Sequence, residues 1–217
     1  MTGVTDPVVH IVDDDEDVRQ SLVFLFESVG IEALTYGDAQ TFLDEFDPDE
    51  PAVVLVDVRM PGLNGFQLQA ELVQRGYPAP LVFCSAHGDI PMSVRAMAHG
   101  AADFLEKPYD HQRMLDVVQA QLLAAGHRFD EARQRRRLVE RLDTLTARER
   151  EVLTLLVEGL SSRVIARELG ASAKTIDVHR ARIKAKSEAE SLAALVRDVL
   201  VLKVPLTPQG EGDQRPD

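Results

Sequence analysis

Four apolar runs in this chain lead into side chains that can do chemistry. "VVHIV" (8–12) runs into Asp13 and Asp14, "AVVLVD" (52–57) ends on Asp57, "PLVFCS" (80–85) ends on Ser85, and "ADFLE" (102–106) is followed by Lys107. Carboxylates brought within a few ångströms of one another repel unless a cation or a proton intervenes. A hard divalent ion suits such a group, because Mg²⁺ takes one or two carboxylates and keeps its other positions for water or phosphate oxygens. A lysine beside the acids neutralises part of their charge and binds an incoming phosphoryl group, and a hydroxyl hydrogen-bonds that group. Each residue alone has a simpler use: Asp57 precedes Pro61 and Gly62 and can cap a turn, while Asp15, Glu16 and Asp17 complement a helix start. The set acquires meaning only if the runs converge in space.

The elements that would position them can be read from periodicity. The unbroken aliphatic stretch 53–56 is the pattern of a strand covered on both faces, as in parallel sheets. A further run, "EALTY" (32–36), makes five strands, and the segments between them carry helical periodicity. Val18, Leu22, Leu25, Phe26 and Val29 form one stripe that Gly30 stops. Strict alternation of strand and helix implies a parallel sheet with helices on both faces. The predicted fold class is α/β, a flavodoxin-like five-stranded parallel domain, followed by an all-α domain. In the flavodoxin-like strand order 2-1-3-4-5, strands one and three are neighbours at the switch point, which brings Asp13 and Asp14 beside Asp57.

Charge divides the chain in the same place. Residues 1–126 hold 21 acidic and 6 basic side chains, whereas residues 127–200 hold 12 and 16. An acidic half joined to a mildly basic one suggests a regulatory module attached to something that meets a polyanion. No stretch approaches the ~18 apolar residues of a membrane span, and the N-terminus lacks the pattern of a signal peptide. A cytoplasmic protein with no membrane partner is expected. The single cysteine, Cys84, has apolar neighbours and is read as a core residue.

Beyond Gly126 the pattern is helical throughout. Residues 127–145 place Glu131 four residues before Arg135 and read as an exposed connecting helix rather than a DNA-binding arm. Thr146 and Glu149 form a capping box, opening a helix with Val152, Leu155 and Leu156 inward. Ser161 or Ser162 caps the next helix, and Ser172 a third. Two short helices around a glycine turn describe a helix-turn-helix or a generic bundle; periodicity leaves both open. The third helix carries Lys174, Arg180, Arg182, Lys184 and Lys186 against Asp177, with Ile176 and Ile183 facing a core. Basic residues beside a buried stripe suit phosphate contacts in a groove. His179, with no histidine or cysteine partner at ligand spacing, is read as packed rather than metal-binding.

The motifs "IVDDDEDVR", "LVDVRMPGLNG", "FCSAHGDIPMSVRAMAHGA" and "DFLEKPY" together resemble the receiver domain of two-component response regulators over residues 7 to about 125. "LTAREREVL", "IARELG" and "KTIDVHRARI" resemble the LuxR-type helix-turn-helix of the FixJ/NarL response regulators over about 144–202. The resemblance implies that Asp57 is the phosphoacceptor and that Asp13 and Asp14 hold Mg²⁺ with Asp57 and the main-chain carbonyl of Arg59. It implies also that Ser85 and Lys107 contact the phosphoryl group, and that Phe104 is the rotating aromatic, where many receivers carry tyrosine. In the second domain Lys174, Thr175, Asp177, Val178, Arg180, Ala181, Arg182 and Lys184 are the expected DNA-contacting set, with Asp177, Val178 and Ala181 against base edges.

The expected organisation is a receiver domain (1–125), a helical linker (126–143), a LuxR-type DNA-binding domain (144–204) and a disordered tail (205–217). The expected partners are a sensor histidine kinase, double-stranded DNA, RNA polymerase and, on phosphorylation, a second copy of the chain. A turnover enzyme is not expected: a phosphohydrolase using Asp57 would need a general acid two residues on, and Arg59 stands there. A small-molecule-sensing LuxR-type regulator is disfavoured, because the first half offers no recognisable apolar ligand pocket.

Overall fold

The computed structural model describes residues 7–86 and 90–206, and the chain divides between residues 130 and 131 into two compact units. The first unit alternates β1 (Val8–Val12), α1 (Glu16–Glu27), β2 (Ala33–Tyr36), α2 (Ala39–Glu45), β3 (Ala52–Asp57), α3 (Gly65–Gln74), β4 (Leu81–Ser85), α4 (Ile90–Ala98) and β5 (Asp103–Glu106), and ends in α5 (His111–Asp143). All five strands are parallel, in the order β2-β1-β3-β4-β5. β1 and β3 are therefore neighbours, with Val12 opposite Val56, so Asp13 and Asp57 leave the same edge side by side.

Strand alternation sends successive side chains to opposite faces. Val54, Val56 and Phe83 meet Phe42 of α2, Leu68 and Leu72 of α3, and Ala96 of α4. Val53, Leu55, Val82 and Cys84 meet Leu22 and Phe26 of α1 and Met114, Val117 and Val118 of α5. Both faces are covered, which is why β3 reads as a continuous apolar run. Two details of the sequence reading change. Val29 lies beyond the end of α1 and is 44% exposed, because the chain has already turned toward Gly30 (φ +74°). Gly126 does not break the helix: α5 continues through it, and Phe129, placed by sequence in an exposed connector, is fully buried with its ring centroid 5.5 Å from that of Tyr77.

The second unit holds the end of α5, α6 (Ala147–Val157), α7 (Ser162–Glu168), α8 (Ala173–Lys186) and α9 (Leu192–Val201). Its core joins Leu138 and Leu142 to Val152, Leu153, Ile165, Ile176, Ile183, Leu195 and Val199. The capping box of Thr146 and Glu149 is present, although Leu153 rather than Leu155 or Leu156 is the fully buried partner of Val152. Ser161 occupies the N-cap of α7 and Ser172 that of α8. Leu206, assigned to the tail by sequence, packs against this core; residues 207–217 lie outside the described residues. No helix among the described residues is long and apolar enough to cross a membrane.

Candidate functional sites

At the carboxyl edge of the sheet, three of the chemically capable residues meet. Lys107, just past β5, directs Nζ to Asp13 Oδ2 at 2.6 Å and to Asp57 Oδ1 at 2.8 Å. The remaining oxygens are held by main-chain donors: the Arg59 amide reaches Asp57 Oδ2 at 2.6 Å, and the Asp15 amide reaches Asp13 Oδ1 at 3.0 Å. Asp13 is 3% and Asp57 8% exposed. Both carboxylates are thus fixed before any ligand arrives, and each keeps lone pairs for a cation or phosphoryl group.

One ammonium faces two carboxylates, so the trio carries a residual negative charge. Burial alone would depress Lys107, but its hydrogen bonds to Asp13 and Asp57 more than reverse this and keep it cationic beyond the ordinary lysine range. Burial pushes the Asp13 carboxyl upward against the pull of Lys107 and the Asp15 amide. The two directions are compatible, because a single positive charge cannot fully compensate two acids. Cys84, opposite Asp57 in the β3–β4 register, is buried, and desolvation pushes its thiol up to about 12, so it stays a neutral core residue.

Ser85, 2% exposed at the end of β4, receives the Lys107 amide on its carbonyl at 2.7 Å. Its Oγ lies 4.0 Å from Met92 Sδ in α4. Phe104 is half-buried on β5, its ring 6.3 Å from that of Phe83. Asp14 is exposed. Among the described residues the acidic, histidine and cysteine side chains form no group of three poised to hold a metal; the structure gathers the Asp13 and Asp57 carboxylates on Lys107. Two further positioning residues escaped the sequence reading. Arg19 of α1 donates from Nη1 to the Asp13 carbonyl at 2.6 Å, a contact that needed the α1 orientation to be known. Gly65 opens α3 against the Asp57 carbonyl, where a Cβ would collide with that oxygen and come within 3.0 Å of Phe83 Cε1; the glycine in "LNG" was the available signal.

In the second unit, α8 presents Lys174, Thr175, Asp177, Val178, Ala181, Arg182 and Lys184 to solvent, while Ile176 and Ile183 are fully buried. Ser172 Oγ caps the helix by accepting from the Thr175 amide at 3.1 Å. Arg180 is half-buried and donates to Ser162 Oγ of α7 at 2.9 Å, tying the two helices together. Lys186, counted by sequence with the phosphate-facing bases, instead pairs with Glu149 Oε2 at 2.6 Å and with the Thr144 carbonyl at 3.2 Å. Burial opposes ionisation of Glu149, yet Lys186 and the Thr146 amide hold its carboxyl below the usual range. His179 is half-buried, with Nδ1 buried and unpartnered among the described residues.

Comparison with known proteins places both units. Residues 9–119 match the family model described as response regulator receiver domain, and residues 143–199 match that of bacterial regulatory proteins of the luxR family. The chain is 41% identical over 196 residues to the transcriptional regulatory protein FixJ of Azorhizobium caulinodans, covering 90% of this chain and 93% of the relative. Among solved structures, the response regulator StyR aligns with a TM-score of 0.67 at 41% identity, covering 91% of this chain and all of the other. Full-length FixJ from B. japonicum aligns at 0.54 and 36% identity, covering 92% and 98%.

Proposed function

Since the chain belongs to the two-component response regulators that join a receiver domain to a LuxR-family DNA-binding domain, and so regulates transcription, we propose that Asp57 is its phosphoacceptor. The observation that carries this reading is the Asp57 carboxylate itself, buried at a strand end with one oxygen on Lys107 Nζ and the other on the Arg59 amide. An Asp57 oxygen attacks phosphorus of a phosphohistidine on a sensor histidine kinase; the P–O bond forms, the P–N bond breaks, and the imidazole returns to the kinase. A carboxylate is a weak nucleophile, so charge developing on the phosphoryl oxygens must be neutralised by preorganised groups. Lys107 supplies one positive charge there, and Ser85 Oγ donates to a phosphoryl oxygen. One transfer serves each activation, without turnover of small substrates.

The donor set fits Mg²⁺: it is made of hard oxygens and carries two carboxylates against one ammonium. Asp13, Asp14, Asp57 and the Arg59 carbonyl would hold the ion, which supplies further positive charge to the transferring group. Before transfer, Lys107 and the Asp15 amide keep Asp13 oriented for this role, and Arg19 fixes its carbonyl.

Phosphorylation adds negative charge to an already acidic half, so it cannot raise DNA affinity through bulk electrostatics. It acts through assembly. Ser85 and Phe104 repack toward the phosphoryl group and alter the α4–β5 surface, where Val94 is 60% exposed and Arg95 and Glu106 are also exposed. Two receivers pair there, and paired α8 helices bind successive half-sites ~34–36 Å apart. Lys174, Thr175, Arg180, Arg182 and Lys184 contact phosphates, Asp177, Val178 and Ala181 face base edges, and RNA polymerase is the downstream partner, all in the cytoplasm. Intact-mass measurement after acetyl phosphate and Mg²⁺ tests the core of this: one phosphoryl group is expected on the wild type and none on Asp57→Asn. Unchanged labelling of that variant overturns the assignment.

A further inference from the structure

The last carbonyls of a helix have no intrahelical donors, and in the second unit arginines from other helices supply them. Arg150 of α6 donates to the Leu142 carbonyl of α5 at 3.0 Å, and Arg148 of α6 to the Leu169 carbonyl at the end of α7. α5 itself sends Arg135 to the Leu202 carbonyl at the end of α9 at 3.2 Å and Arg141 to the Ser187 carbonyl at the end of α8 at 3.1 Å. Each guanidinium also meets the negative end of a helix dipole. Of the four, the bond of Arg141 is made to the helix that carries Asp177, Val178 and Ala181.

The end of α8 needs such a partner. Ser187 is its C-cap and is 1% exposed, and a buried carbonyl left without a donor is costly. Glu188, next along, stands at φ +54°, in the left-handed region that a side chain disfavours, so local geometry alone does not favour this ending. Polar contacts from the corner between α5 and α6 converge on it. Arg141 Nη1 reaches Ser187 O, while Lys186 Nζ reaches Thr144 O at 3.2 Å and Glu149 Oε2 at 2.6 Å. The Arg141 side chain is aimed from its own helix, with Nε donating to the Arg137 carbonyl at 3.1 Å. Its carbonyl in turn accepts from Thr144 Oγ1 at 2.7 Å.

We propose that Arg141 is a positioning residue for DNA reading: it sets the C-terminal end of α8 and, through it, the approach of Asp177, Val178 and Ala181 to base edges. This rests on the reading of α8 as the helix that meets bases. Asp177 lies ~15 Å along the axis from Ser187, so a shift of about 1 Å at that end tilts α8 by roughly 4°. Base contacts depend on distance and direction within narrow limits, and three short side chains cannot follow such a tilt. A lysine or arginine on a phosphate follows it with a flexible stem. Loss of the Arg141 bond therefore costs discrimination between sequences before it costs affinity for duplex DNA.

Arg141→Met removes the donors and keeps most of the stem; Arg141→Lys keeps the charge and is the second variant. Arg135→Met removes the equivalent bond from the same helix to α9 and is the control, and circular dichroism melting verifies that each folds. The wild-type full chain selects a duplex from a random-sequence library. Fluorescence anisotropy at one salt concentration then measures binding to that duplex and to a scrambled one of the same composition. Every protein is treated with acetyl phosphate and Mg²⁺ and matched in occupancy by intact mass. In Arg141→Met the preference for the selected duplex is expected to fall about tenfold, the discrimination that one base contact supplies. Affinity for the scrambled duplex stays within about twofold, because phosphate contacts are kept. Arg141→Lys is expected to lose part of the preference. Arg135→Met keeps it, since a general loss of stability lowers both affinities alike. Wild-type preference in every Arg141 variant that folds, or an equal fall in Arg135→Met, overturns the positioning role. A wild type for which selection enriches no sequence overturns the reading of α8 as the base-reading helix instead.

Discussion

Replacing Lys107 by methionine isolates what the ammonium does. The variant keeps most of the aliphatic stem and removes the charge shared by Asp13 and Asp57 at 2.6 and 2.8 Å. Two carboxylates, 3% and 8% exposed, then face one another without a cation. Deleting one partner of a buried pair costs about 3–5 kcal/mol. The Lys107 side chain keeps 17% of its exposure, so solvent screening brings the loss to about 2–3 kcal/mol. All three tyrosines, Tyr36, Tyr77 and Tyr109, lie in the first unit and the chain has no tryptophan, so tyrosine fluorescence in urea reports this unit alone. With a urea dependence of about 1–2 kcal/mol/M, the midpoint should fall by roughly 1–3 M at pH 7 in magnesium-free buffer. Adding Asp57→Asn to the variant removes one of the two opposed charges and should restore roughly half of the loss. A Lys107→Met chain as resistant to urea as the wild type, or a double variant weaker than the single one, refutes the claim that this ammonium holds the acids together.

Other outcomes follow from the same physics. His10, 1% exposed, has its imidazole pushed down to about 4 by burial; the unfolded chain therefore binds the proton first, and the first unit should lose roughly 3 kcal/mol as pH falls from ~6.5 to ~4. His10→Gln should flatten the urea midpoint against pH across that window. Gly65→Ala drives a Cβ into the Asp57 carbonyl, so a loss of about 1–3 kcal/mol and slower labelling by acetyl phosphate are expected by urea titration and intact mass. Lys186→Met leaves the 2%-exposed Glu149 unpaired; with Lys186 36% exposed, about 1–2 kcal/mol is expected after screening, read by circular dichroism as earlier melting of the second unit with the tyrosine transition unchanged. Arg182→Ala should weaken binding to any duplex about equally and reduce the slope of log affinity against log salt by about 1, measured by fluorescence anisotropy.

Elements and their order were legible because each carries a local signature. The aliphatic run before Asp57, the capping box of Thr146 and Glu149, the serine caps, and the alternation of strand and helix all act over a few residues. Gly126 was misleading for the same reason: a glycine in a polar, irregular stretch reads as a stop, but the buried ring of Phe129 on Tyr77 carries the helix past it. Lys186 was misleading in another way. Its charge suited a phosphate-facing helix, and only the approach of α6 to α8 showed that Glu149 claims it.

By itself the sequence determined which residue types stand at the strand ends, the parallel arrangement that gathers those ends on one edge, and the separation of an acidic half from a basic one. Those follow from periodicity and composition, which are properties of neighbouring residues. The tertiary structure alone decided that Lys107 bridges Asp13 and Asp57 while Asp14 stays exposed, that Arg19 holds the Asp13 carbonyl, and that Arg141 holds the end of α8 from another helix. A hydrogen bond is set by the distance and direction between two atoms, and residues 94 positions apart along the chain, as Asp13 and Lys107 are, acquire both only when the sheet closes between them.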